Sequence, residues 1–169
     1  MPSRDKDMAT TAEKNEKTNV MRLLDAAGAS YAPHWYDNTV TDGETIAAML
    51  GMDAEQVFKT LVTVANTGEH LVFDVPVCHS LDLKKAAKAA GVKNVEMITQ
   101  KELLPLTGYV HGGCSPLGMK KKFRTFINDT AQVFDTVFVS AGKIGAQVEL
   151  SPEALCVLCE AEFADIADG

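Results

Sequence analysis

Apolar positions follow two rhythms along the chain. One repeats every three or four residues and predicts helices; the other alternates or runs on over shorter stretches and predicts strands. "KTNVMRLLDAAGA" (17–29) sets Val20, Leu23 and Leu24 on one face between a Thr18 N-cap and a Gly28 stop. "TDGETIAAMLG" (41–51) opens on a capping box, Thr41 with Glu44, and stops at Gly51. "LDLKKAAKAAG" (81–91) reads as an Ala/Lys helix capped by Asp82 or Ser80 and ended by Gly91. "TQKELLPLTG" (99–108) carries a second capping box, Thr99 with Glu102. "SPEALCVLCEAEF" (151–163) is a closing helix with Ser151 as N-cap and Pro152 at the first helical position.

The strand rhythm appears in "SYAPHWY" (30–36), where Pro33 suggests an edge. "VFKTLVTVA" (57–65) and "HLVFDVPV" (70–77), joined around "NTGE", predict a hairpin. "KNVEMI", "RTFIND", "FDTVFVSAG" and "AQVELS" add four strand candidates. Strands outnumber helices, and most are joined by turns too short for a crossover. The pattern predicts an α/β (α+β) single domain, a mixed sheet with peripheral helices rather than a doubly wound parallel sheet. The chain of 169 residues suffices for one such domain. We place it at residues 18–169, behind a polar tail at 1–17 with four basic and four acidic residues. That tail has neither an apolar core nor an Arg-rich amphipathic pattern, so it reads as disordered rather than as a targeting signal. No apolar run approaches the ~20 residues of a membrane span, and a cytoplasmic protein is the expectation.

Charge sharpens this outline. The net charge is −7, yet residues 82–124 hold nine Lys/Arg against three Asp/Glu, and six acids with no base follow Lys143. One face can therefore meet a polyanion while the rest stays solvated, although a plain scatter of surface charge fits as well. Cys156 and Cys159 form a C-x-x-C inside a predicted helix, without the second ligand pair a zinc site needs. No metal or cofactor is expected, and these thiols read as core residues.

Chemistry concentrates in "GYVHGGCSPLGMKKKF" (108–123). "GCSPLGMK" misses the phosphate-binding pattern G-x-x-x-x-G-K-S/T, because Met119 replaces the lysine. A nucleophile elbow at Ser115 also fails, because the oxyanion hole would need the N–H of the next residue, and that residue is Pro116. What remains is a rigid loop, either an ordinary tight turn or one whose Gly112 and Gly113 let backbone amides approach a carbonyl. Lys59 is the only charge in an otherwise apolar strand. It reads either as an edge-strand guard or as an ammonium held in a cleft for an anionic group.

Taken together, "VFKTL", "LDLKKAAKAAGVKNVEM", "TGYVHGGCSPLGMKKKF", "VFVSAGKIGAQVEL" and "FADI", in that order, resemble the YbaK/EbsC family of trans-acting prolyl-tRNA editing domains, of the Cys-tRNA(Pro)/Cys-tRNA(Cys) deacylase branch. The resemblance spans roughly residues 17–166. It implies a mixed, partly barrel-like sheet, no cofactor, no metal, and hydrolysis of the ester of mischarged Cys-tRNA(Pro) in trans. It further implies that Lys59, Gly112 and Ser140 form the catalytic group and that Tyr36, Gly113, Ser115 and Pro116 line the substrate pocket. Lys120, Lys121, Lys122 and Arg124 would meet tRNA phosphates. Mischarged tRNA is the implied partner, with prolyl-tRNA synthetase as an associated one and no membrane. In this family the substrate thiol is held to attack its own ester carbonyl, leaving the protein to orient and to stabilise the oxyanion. The chain departs from the branch at Cys114, Ala141 and Ile144, which bears on the shape of the amino-acid pocket. Deacylation of another mischarged tRNA, such as Ala-tRNA(Pro), and non-catalytic tRNA binding are the competing readings.

Overall fold

The computed structural model describes residues 16–169. The expected tail, 1–17, lies almost wholly outside the described residues. The first helix, α1 (Asn19–Ala26), starts where Thr18 Oγ1 accepts from Met21 N at 3.2 Å, and it buries Val20, Met21 and Leu24. The edge strand β1 (Ala32–Trp35) contains Pro33, whose missing N–H is harmless at an edge. In α2 (Gly43–Met49) the cap falls one residue later than the Thr41–Glu44 box predicts. Asp42 accepts from both the backbone N and the hydroxyl of Thr45, two bonds that a threonine cap could not match.

The hairpin is as its pattern predicts. β2 (Phe58–Ala65) and β3 (His70–Pro76) pair antiparallel from Phe58↔Pro76 to Val64↔His70, closed by a turn with Gly68 at positive φ. Next come α3 (Leu83–Ala90), β4 (Val95–Met97), α4 (Gln100–Thr107) and β5 (Arg124–Asn128). Asp82 caps α3 with two 3.0 Å bonds from Lys84 N and Lys85 N. The Thr99–Glu102 box opens α4. After a 3₁₀ turn (Asp129–Val133) come β6 (Val137–Lys143), β7 (Ala146–Leu150), α5 (Pro152–Cys159) and β8 (Glu162–Ala164).

The closing helix is shorter than its pattern suggests. Glu160 takes a left-handed conformation, and 162–164 then pair parallel to β5 as β8. Cys156 Sγ donates to Ala161 O and Cys159 Sγ to Pro116 O, so both thiols of the C-x-x-C have structural partners.

The strands form two sheets, β1-β7-β6 and β4-β2-β3-β5-β8. The larger is mixed, with β3–β5 and β5–β8 parallel and its other pairs antiparallel. A single parallel bridge, Val57↔Phe138, joins the two sheets without closing them into a barrel. β2 pairs with β4 over Thr63–Ala65, extended by Ile98 N donating to Val62 O at 3.3 Å, which leaves the edge of β2 before Val62 open. The chain end is tied back by the Leu81↔Ala167 bridge and by His79, which sits between Glu55 (2.7 Å) and Asp168 (3.1 Å).

Removing the α3 cap by Asp82→Ala should cost about 1 kcal/mol. That corresponds to a drop of about 2–4 °C in Tm for a domain of this size, read by circular dichroism.

Candidate functional site

A cavity of about 390 Å³ opens at the unpaired edge of β2, between the two sheets. β2 supplies Lys59, Thr60 and Leu61; the start of α2 supplies Asp42 and Ile46. The glycine loop contributes His111, Gly112 and Cys114, and β6 and β7 contribute Ser140 and Gln147. Lys59, Gly112 and Ser140, far apart in sequence, thus share one cavity.

Each of these three is held for a local reason. Lys59 is half-buried and makes no ion pair among the described residues. Its charge is felt by Asp42, whose carboxyl is held below its ordinary range chiefly by the Thr45 hydrogen bonds and to a smaller degree by Lys59. Gly112 has φ +87°, and a Cβ there would lie 2.8 Å from Thr41 Cγ2, so conformation and space both demand glycine. Ser140 precedes a bulge between β6 and β7. Its Oγ accepts from Gly142 N at 3.1 Å, so its own hydrogen is free to donate into the cavity.

The expected lining residues are placed differently. Gly113 packs against the β6–β7 turn, where a Cβ would meet Ile144 N at 3.0 Å. Ser115 is fully buried, with Oγ accepting from Leu117 N at 3.2 Å. Pro116 lies beside it, its carbonyl taken by Cys159. These three form the back of the loop and not the cavity wall: Gly112 and Cys114 face the cavity, while Gly113 abuts the β6–β7 turn and the Ser-Pro corner points into the core. Tyr36 lines a neighbouring depression with Lys143 and Gly145. Burial pushes its hydroxyl up, and that hydroxyl lies against Gln147, so it backs the cavity through that side chain. The oxygens Tyr36 Oη and Gln147 Oε1 are buried without a well-formed hydrogen bond among the described residues.

The basic run is less free than its sequence suggests. Arg124 is held by Glu69 through two bonds of 2.8 and 2.9 Å and by Ala90 O, and Lys122 is paired with Glu160. Lys120 and Lys121 are exposed and make no ion pair among the described residues. None of the four lines the cavity.

Of the groups that chemistry could use as nucleophiles, Cys114 is buried and its thiol is pushed up to about 12, chiefly by desolvation and also by Asp74. It is therefore a protonated thiol at neutral pH. Elsewhere, Glu55, Cys78 and His79 bring their ligand atoms within 4.8 Å of one another. Both nitrogens of that histidine are already engaged by carboxylates, and its pKa is raised chiefly by Glu55.

Asp74, unnoticed in the sequence, lies behind the cavity wall. It is fully buried; its Oδ1 accepts from Thr60 Oγ1 at 2.5 Å, and its Oδ2 has no partner among the described residues. Burial pushes its carboxyl up to about 7, against a smaller opposing effect of Thr60. An acid whose pKa is higher folded than unfolded holds its proton more tightly in the native state. Stability from this group is therefore full at pH below about 4 and is lost as pH rises toward 7. Asp74→Asn should abolish that fall, raising stability at pH 8 relative to the parent protein by at most about 4 kcal/mol. Thermal melts of both proteins from pH 4.5 to 8 check this.

Residues 37–157 match the model of the aminoacyl-tRNA editing domain. A protein of Enterococcus faecalis (strain ATCC 700802 / V583), named "Putative Cys-tRNA(Pro)/Cys-tRNA(Cys) deacylase EbsC", is 44% identical over 154 residues, covering 89% of this chain and 93% of that protein. A proline–tRNA ligase of Pelobacter propionicus (strain DSM 2379 / NBRC 103807 / OttBd1) is 33% identical over 76 residues, covering 45% of this chain and 13% of the ligase. The same fold recurs in the solved structure described as "Crystal structure of a putative trans-editing enzyme for prolyl tRNA synthetase", with a TM-score of 0.78 at 24% identity over 91% of this chain and all of that one.

Proposed function

Since the chain belongs to the family of aminoacyl-tRNA editing domains, we propose that its cavity takes the aminoacyl end of a mischarged tRNA. The protein is an aminoacyl-tRNA deacylase that hydrolyses the ester of mischarged Cys-tRNA(Pro) in trans. The observation that carries this reading is Lys59: a half-buried ammonium with no ion pair among the described residues, in the same cavity as a hydroxyl donor on Ser140. Such a pair suits an anionic phosphate beside a carbonyl that becomes an oxyanion. Prolyl-tRNA synthetase is a fitting companion, because the likeness to a proline–tRNA ligase covers only a part of that enzyme. A cytoplasmic setting accords with the substrate, and no helix among the described residues is long and apolar enough to cross a membrane.

For the reaction itself, the cysteine thiol of the substrate attacks its own ester carbonyl, the ribose oxygen leaves as a hydroxyl with the thiol's proton, and water then opens the cyclic thioester to free cysteine. Lys59 orients the ester, while Ser140 and the backbone around Gly112 favour the developing oxyanion. This assigns the protein no nucleophile, in keeping with a Ser115 turned into the core and a Cys114 held protonated. Lys120 and Lys121 draw the tRNA backbone by charge alone, a contribution that salt screens.

Lys59→Ala should lower single-turnover deacylation of Cys-tRNA(Pro) by about 100-fold or more while circular dichroism stays unchanged. Lys59→Arg should not restore it fully, because a planar fork does not replace a compact ammonium. Full activity in a folded Lys59→Ala protein would remove the lysine from the site. Serine esterified to tRNA(Pro) should be cleaved far more slowly than cysteine. The two side chains are near in size, so pocket binding separates them only modestly, whereas a hydroxyl is a far poorer nucleophile than a thiol. Equal rates would indicate an activated water instead.

A further inference from the structure

We propose that Thr60 and Asp74 form a proton-accepting relay in the wall of the cavity, Thr60 touching the substrate's side-chain thiol and Asp74 acting through it. The proposal rests on the reading of the cavity as the site of a cysteinyl ester. Its basis is geometric. Thr60 lines the cavity, and its hydroxyl hydrogen is spent on Asp74 Oδ1 at 2.5 Å. A hydroxyl that donates inward shows only lone pairs outward, so Thr60 is an acceptor, suited to an S–H donor.

The carboxyl behind it has no other evident purpose. Burying an acid is costly, and a structural one is normally paid for by a cation or by several donors. Asp74 has one donor, and its second oxygen has no partner among the described residues. The ionisable groups that sense it are the thiols of Cys114, from the glycine loop, and of Cys159, from α5. Both are pushed up by burial first and by Asp74 next, so neither neutralises it. The neighbouring cation, Lys59, adjoins Thr60 on β2, and strand alternation sends its side chain to the opposite face.

The step balances within the site. The substrate S–H bond breaks as its proton passes to Thr60 Oγ1, while the proton already on Oγ1 passes to Asp74 Oδ1. The thiolate sulfur then forms a bond to the ester carbonyl carbon, and the bond from that carbon to the ribose oxygen breaks. The proton returns from Asp74 through Thr60 to the ribose oxygen, which leaves as a hydroxyl. A carboxyl raised to about 7 can take and return that proton near neutral pH, which an ordinary aspartate does poorly.

The test is the single-turnover rate on Cys-tRNA(Pro) between pH 5.5 and 9 for the parent protein, Asp74→Asn, Thr60→Ser and Thr60→Val. The parent rate should rise through about pH 7 and level off. Asp74→Asn should be at least about tenfold slower at pH 7, with half-saturation little changed. Its rate should climb only toward the free thiol's range near about 8.5. Thr60→Val should behave alike, and Thr60→Ser should keep the parent profile. If the parent protein leaves Cys-tRNA(Pro) intact, the deacylase reading falls and the relay with it. If the parent cleaves it and folded Asp74→Asn cleaves it with the parent pH profile, whether at full or reduced rate, the relay alone is overturned. Should Asp74→Asn fail to fold, Thr60→Val with an unshifted profile overturns the relay equally.

Discussion

The incomplete pairing of β2 is the constraint on which the rest depends. Along one side β2 is bonded to β3 for nearly its whole length; along the other it is bonded only from Val62 onward, by Ile98 and then by β4. Before that point the chain crosses to the second sheet through one bridge, Val57↔Phe138. An open strand edge between two sheets must be filled or left as a cleft. Here α2 and the glycine loop cover it from the sides, and the space left over is the cavity. The glycine at 112 is needed because that loop comes within van der Waals reach of Thr41 at the helix start. The site is thus a consequence of how the sheets fail to close, and its polar groups come from the strands, helix start and loop that border the gap.

Much of this architecture is legible in the sequence, because periodicity reports burial and burial shapes the elements. The hairpin, the α3 and α4 caps and the edge position of Pro33 all follow from local chemistry. Where local chemistry offers near-equal choices the sequence misleads. Thr41 and Asp42 are both good caps, and only the second bond to the Thr45 hydroxyl favours Asp42. The break of α5 at Glu160 carries no glycine to announce it, so β8 is hidden inside an apparent helix.

The site is legible only in part, and for a different reason. Lys59 stands out as one charge in an apolar strand. Asp74 gives the same signal in "HLVFDVPV", one acid in an apolar strand, but the strand pattern does not say whether that acid is solvated or buried. Only the parallel pairing of β3 with β5, a long-range contact, reveals that it is buried. Long-range pairing also decides the basic run: Arg124 finds Glu69, and Lys122 finds Glu160, across separations no spacing rule covers. Ser115 illustrates the converse. Its glycine-rich context suggests exposure, yet the Ser-Pro corner is the part of the loop that anchors it.

Lys59 and Asp74 could have neutralised each other, and the hairpin register prevents it. Lys59 lies opposite Val75 and Asp74 opposite Thr60. Facing residues of an antiparallel pair share a side of the sheet and successive residues alternate, so the ammonium and the carboxyl point to opposite faces. A slip of one residue would set Lys59 against Asp74 and make an ordinary cross-strand ion pair. It would also send Leu71, Phe73 and Val75, all fully buried, to the other face, at a cost far above the worth of one ion pair. The turn fixes the same register independently, through Gly68 at positive φ and the Ala65 N to Glu69 O bond of 2.8 Å. Apolar packing therefore keeps the ammonium and the carboxyl from pairing with each other at the edge of one cavity. The core tolerates a raised acid and a lysine without an ion pair among the described residues because both belong to a hairpin whose alignment is set by everything else in it.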